Sequence, residues 1–190
     1  MSAGRLTYWR LKLEAMAHLV LGRREAALTV FSTMLTSWPD DAYALASRAH
    51  LHAQLGRNDA ALADADALTR RHPRRSAADW FNLAFLLDDA GRPAEAEPAF
   101  RQALALDPKL DRAWYGLGLT LIRLQRFDEA IAAFERNTEL QPMSPYGWYQ
   151  MARVHMDRHK PDEALRIIRH LKGFEPKVAA QLERETGLAA

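Results

Sequence analysis

Apolar residues return along this chain at spacings of three and four, the pattern of a helix with one side turned to a core. From Trp114 they fall at Trp114, Leu117, Leu121 and Leu124, one stripe of an amphipathic helix. The stripes are punctuated. Gly22, Gly56 and Gly91 stand where such helices should end, in the left-handed geometry that glycine adopts without steric penalty. Gln125 and His159 hold the same places later in the chain and suit that geometry less well. Glu25, Asp59, Glu95, Asp128, Glu129, Asp162 and Glu163 open the segments that follow, where a carboxylate favours the positive end of a helix dipole. Pro93 and Pro161 fall near helix starts, where proline is accepted. Pro98 lies deeper, removes one backbone bond, and should bend its helix.

The punctuation is periodic. Prolines stand at Pro39, Pro73, Pro108, Pro142 and Pro176, spaced 34, 35, 34 and 34. Trp80, Trp114 and Trp148 keep the same beat, as do Ala27, Ala61, Ala96, Ala130 and Ala164. So does a large apolar column at Phe31, Phe100, Phe134 and Ile168, broken at Ala65, where the second unit is expected to pack less tightly. A period near 34 predicts helix pairs stacked so that each hides its apolar side against the next. Small residues, Ala84 with Ala96 and Gly118 with Ala130, would let the two helices of a pair approach closely. His18, His52 and His155 share a column and are read as packing residues, and no native metal site is expected at His155 and His159.

The stretch WYGLGLTLIRLQRFDEAIAAFERNTELQP, Trp114 to Pro142, resembles a tetratricopeptide repeat through Trp114, Leu117, Gly118, Ala130, Phe134 and Pro142. Trp80, Leu83, Ala84, Gly91, Ala96, Phe100, Ala103 and Pro108 carry the same likeness, and so do Trp148, Ala152, Ala164 and Pro176. The first two units have Leu11 and Leu45 in place of Trp. The resemblance implies an all-α fold, a right-handed α-solenoid of five helix–turn–helix repeats at about 8–41, 42–75, 77–110, 111–144 and 145–176. A capping helix at 177–187 would turn Val178 and Leu182 inward, the whole forming one repeat domain. No matching cap protects the other end, so Leu6, Tyr8, Trp9 and Leu13 are expected to be exposed or covered by another subunit.

In this family the first helices line a concave groove that takes a peptide or a helix of a partner protein. Carried onto this chain, the groove positions are Trp9, Lys12 and Met16, then Tyr43 and His50, then Phe81, Asn82 and Phe85. Arg112, Tyr115, Leu119 and Arg123 follow, and then Tyr146, Tyr149 and Arg153. Aromatic, Met and Arg side chains dominate this set, the types enriched at binding hot spots. Phe81, Tyr115 and Tyr149 would form one ladder, Phe85, Leu119 and Arg153 another. Asn82 would meet a peptide backbone, and Arg112, Arg123 and Arg153 an acidic group. Of the clamp with which some members hold chaperone C-termini, Lys12 matches, while Met16, Ser47, Ala78 and Asn82 do not.

Composition narrows the picture further. The chain has 190 residues, net charge +2 and no cysteine, which excludes disulfides and thiolate zinc sites. Net charges of +4, −4 and +2 over residues 1–76, 77–142 and 143–190 leave no continuous basic stripe for nucleic acid. The run RRHPRR at 70–75 is read as a solvated loop. Neither a signal peptide nor a membrane-spanning stretch is seen, so the cytoplasm is the expected compartment and no membrane partner is expected. Arg outnumbers Lys by 21 to 5, which points to a bacterial source of high GC content. With no glycine-rich phosphate loop, nucleophile elbow or paired-carboxylate pocket, neither catalysis nor a cofactor is expected. The expected role is a scaffold or adaptor that binds another protein. The alternatives are a platform self-associating into a homo-oligomer through its N-terminal end, or the targeting subunit of a larger enzyme, secretion or assembly system.

Overall fold

The computed structural model describes residues 3–189. Eleven helices and no strand occur among them: α1 Ala3–Val20, α2 Arg24–Ser37, α3 Ala42–Gln54, α4 Asn58–Arg71, α5 Ala77–Asp89, α6 Pro93–Leu106, α7 Asp111–Arg123, α8 Phe127–Leu140, α9 Pro145–Asp157, α10 Pro161–Lys172 and α11 Pro176–Thr186. Two compact units divide them, residues 1–90 with α1–α5 and residues 91–190 with α6–α11. Within each unit, helices pack mainly on their neighbours in sequence, as expected of a solenoid of tetratricopeptide type.

The turns between paired helices are built from backbone. Gly22, Gly56 and Gly91 adopt φ of 69°, 71° and 72°. In the first turn, the Gly22 N–H bonds the Leu19 carbonyl at 3.0 Å and the Arg23 N–H bonds the His18 carbonyl at 2.8 Å, which satisfies carbonyls that the helix end leaves open. The same bonds form at Gln125 and His159 with φ of 59° and 57°, so these two residues hold a conformation that their Cβ atoms disfavour. Side-chain caps start α3 and α5: Asp41 accepts from the Ala44 N–H at 2.7 Å and Ser76 from the Ala78 N–H at 3.0 Å. α6 continues unbroken through Pro98, which stands on an exposed face.

Packing follows the large apolar column. Phe31, Phe100, Phe134 and Ile168 are all fully buried. Gly118 explains how Phe134 fits: a Cβ there would come within 2.5 Å of the ring, and at Gly116 within 2.6 Å of Phe100. The Trp column adds a bond that spacing alone did not reveal. The indole N–H groups of Trp80, Trp114 and Trp148 donate to the carbonyls of Pro73, Pro108 and Pro142 at 2.8, 2.9 and 3.3 Å. Each pins a first helix to the loop that precedes it, so the Trp and Pro columns are two halves of one contact.

Successive second helices are also stapled by charge. Arg57 grips Glu25 with bonds of 3.0 and 2.6 Å, and Arg126 bridges Glu97 and Glu129. The arginines of the basic run at 70–75 are solvent-exposed, as expected, and most of them are paired. Arg70 pairs with Asp66, Arg71 with Asp40 and Arg75 with Asp79, while the His72 ring lies 2.6 Å from the Asp40 carbonyl. The reason is position: α4 ends at Arg71, within reach of the previous turn. Two further expectations are corrected. Tyr8 is half-buried, edge-on to Trp38 at 5.2 Å, because it shares the inner side of α1 with Leu11. In α11 the buried pair is Ala179 and Leu182, with Val178 only half-buried.

Gln125→Gly and His159→Gly should each stabilise the chain by about 0.5–1 kcal/mol, because relief of the left-handed strain outweighs the added freedom of the unfolded chain. Gly56→Ala should destabilise it by about 1 kcal/mol or more. Urea unfolding midpoints check both signs.

Candidate functional site

In each unit the first helices of successive repeats flank surface clefts. In the first unit, α3 and α5 stand over α4 and enclose a cleft of about 220 Å³. Its lining is mostly apolar and includes His50, Asn82 and Phe85. Phe81 and Phe85 stack at 6.5 Å with planes 27° apart, and Phe85 is 58% exposed. Asn82 is exposed, and His50 shares a 2.8 Å contact with Gln54. Trp9 and Met16 are exposed on α1. Lys12 sets its ammonium 5.2 Å from the Trp9 ring and 4.2 Å from the Tyr43 ring, a cation–π arrangement that holds the charge against apolar surface. Tyr43 also packs on Phe31 at 5.8 Å and so serves the core as well as the face.

In the second unit, α7 and α9 form two clefts. One, of about 230 Å³, is lined by Leu119, Arg123, Arg153 and Asp157, among others. The other, of about 340 Å³, is lined by Arg112, Tyr115 and Tyr146. Tyr115 bridges core and surface, 5.8 Å from Phe134 and 6.5 Å from Tyr146. Arg112, Arg123 and Arg153 are exposed, with the Arg153 guanidinium 5.7 Å from the Tyr149 ring.

The last repeat departs from the expected ladder. The Tyr149 hydroxyl donates to Glu185 at 2.6 Å, so α11 reaches this face and engages the tyrosine. That bond, with burial and the carboxylate charge behind it, raises the Tyr149 pKa, and Glu185 is held below the usual carboxylate range by the same bond. The sequence reading missed Gln150, whose amide lies 3.4 Å from the Tyr115 hydroxyl and which lines the Arg123 cleft. It also missed Asp79, a carboxylate at the place where α3, α7 and α9 have Ala44, Ala113 and Gly147. An acid in an apolar column was a readable signal.

These helix pairs, their buried columns and the family profile agree. The tetratricopeptide repeat profile matches residues 12–76 and 81–145, more than half of the chain. The chain belongs to the tetratricopeptide repeat family. Solved structures show the same fold. MamA protein superposes with a TM-score of 0.84 at 17% identity, over 97% of each chain. YrrB, a tetratricopeptide protein with an unusual peptide-binding site, gives 0.81 at 18% identity, over 90% of this chain and 88% of its own. A tetratricopeptide repeat protein from Parabacteroides merdae gives 0.82 at 20%, over 96% and 74%. Such identities speak to the fold alone. No curated protein sequence matches.

Among the described residues of this tetratricopeptide chain, no three His, Cys, Asp or Glu side chains stand close enough to hold a metal ion. No described helix is long and apolar enough to cross a membrane. The histidine column has a different character: Nδ1 of His18, His52 and His155 is buried without a hydrogen-bond partner. Burial is the main reason that the pKa values of His52 and His155 are lowered, with Arg48 and Arg57 adding at His52 and Lys160 and Arg158 at His155.

A base with a depressed folded pKa binds fewer protons folded than unfolded, so stability is lost as pH falls below the unfolded value of about 6.5. Melting temperature should therefore drop between pH 7 and pH 5. His52→Leu with His155→Leu, the residue type that Leu87 and Leu121 supply at the equivalent places, should flatten that drop. An unchanged pH profile in the double variant would remove the histidines as its cause.

Proposed function

We propose that this chain is a non-catalytic scaffold that holds a polypeptide segment of a partner protein against the exposed faces of its first helices. The observation that carries the reading is the clustering of partly exposed aromatic and arginine side chains beside open clefts in both units. Phe85, with Phe81 stacked on it, flanks one cleft; Tyr115, Tyr146, Leu119 and Arg153 flank the others. Buried residues supply the core of the repeats, while these side chains keep part of their surface open to a ligand. Arg112, Arg123 and Arg153 suit an acidic residue or a terminal carboxylate. YrrB, with its peptide-binding site on the same fold, is a precedent for this use. The proposed setting is the cytoplasm of a bacterium, with the chain serving a larger assembly.

A second reading has its own support. Leu6, Trp9, Leu13, Met16 and Val20 are all exposed on α1, at spacings of three, four, three and four. That is the seam a second helix needs for knobs-into-holes packing. Self-association of two or more chains through α1 would cover it.

Peptides selected from a random display library against the whole chain test the first reading. Alanine at Phe81, Phe85, Tyr146 and Arg153 together should weaken a selected peptide at least roughly tenfold, as loss of hot-spot contacts does, with far-UV circular dichroism unchanged. Full affinity in that variant refutes the assignment of the face. For the second reading, sedimentation equilibrium should show association that Leu13→Glu with Val20→Glu abolishes, and a concentrated but strictly monomeric chain rules it out.

A further inference from the structure

Two columns of the repeat change chemistry at one place in the first unit. Ala65 stands where Phe31, Phe100, Phe134 and Ile168 stand elsewhere, and Asp79 where Ala44, Ala113 and Gly147 do. Both line the cleft between α3 and α5. Its floor is buried, made by Ala49, Ala65, Leu68 and Asp79, and its mouth is exposed at His50, Ala53, Asn82 and Phe85. A missing plug has thus become an opening with an acid at its base.

Size restricts the occupant. The cleft holds about 220 Å³, more than the roughly 150 Å³ apolar cavity that takes a benzene ring and less than the roughly 300 Å³ at which sites for whole small molecules begin. One aromatic ring fits. Chemistry restricts it further. Asp79 is only 8% exposed, and both of its oxygens lie 2.7 Å from one guanidinium nitrogen of Arg75. A carboxylate has about four lone-pair positions, so Asp79 can accept another donor. A purely hydrocarbon ring would displace water from the acid and return nothing.

We propose that this cleft is an anchor subsite for one tyrosine or tryptophan side chain of a partner polypeptide. The ring lies among Ala46, Ala49, Ala53 and Leu86, and its O–H or N–H donates to Asp79. Asn82 and His50 at the mouth meet the main chain that carries the ring. The proposal rests on the reading of the first-helix faces as a polypeptide-binding surface and adds the residue type recognised there.

The test uses the whole chain and three probes, p-cresol, 3-methylindole and toluene, followed by NMR at His50, Asn82 and Phe85. The two donors should bind roughly tenfold tighter than toluene, the effect of one hydrogen bond in a desolvated site. Ala65→Phe, which restores the plug, should abolish all three signals while raising or preserving the unfolding midpoint. Ala53→Trp, placed at the exposed mouth, should do the same without touching the floor. Asp79→Leu should keep toluene and lose the preference for donors. No saturable shift, equal affinity for the three probes, or binding that survives both blocking variants would overturn the proposal. Library-selected peptides should contain Tyr or Trp and weaken at least roughly tenfold on Ala65→Phe. If that variant leaves them bound while the alanine variant at Phe81, Phe85, Tyr146 and Arg153 releases them, the anchor fails and the binding face stands. If neither variant releases them, both fail.

Discussion

A large side chain from each second helix needs a small residue opposite it, and the order within these repeats follows from that need. Phe134 shows it most sharply: its ring occupies the space that a Cβ on Gly118 would claim, 2.5 Å away. Interiors packed to crystal-like density tolerate no such overlap, so ring and glycine must occur together. Once the ring is seated, the helix pair has its separation, and the pair can stack on its neighbour. The left-handed turns and the Trp-to-Pro-carbonyl bonds then set where each helix starts and stops.

Where the plug is absent, the same packing rule leaves a cleft. Ala65 removes the ring that its column calls for, and the alanines that α3 offers, Ala46, Ala49 and Ala53, do not refill the space. The gap opens on the face where Phe81, Asn82 and Phe85 already sit. Core and candidate site are therefore linked: the loss of one buried residue shapes the surface available to a partner.

The fold was legible because its determinants recur. Pro, Trp, Ala and the large apolar column each repeat on one beat, and the left-handed places could be named even where Gln125 and His159 replace glycine. What recurrence could not show were contacts made once. Tyr149 was placed correctly on its helix, but its bond to Glu185 depends on where α11 folds back, and no periodic signal carries that. The arginines at 70–75 are exposed as read, but the pairing of Arg71 with Asp40, in an earlier turn, carried no periodic signal. Asp79 was visible as an acid in an apolar column, yet its meaning needed the gap at Ala65, on a different helix and brought beside it only by the fold.

On the proposed function, first helices carry recognition as well as packing, while second helices serve packing. Amide hydrogen exchange on the whole chain, with and without a saturating selected peptide, tests it most directly. Slowed exchange should concentrate in α3, α5, α7 and α9, with α4, α6, α8 and α10 little changed. Protection confined to the second helices would contradict the account.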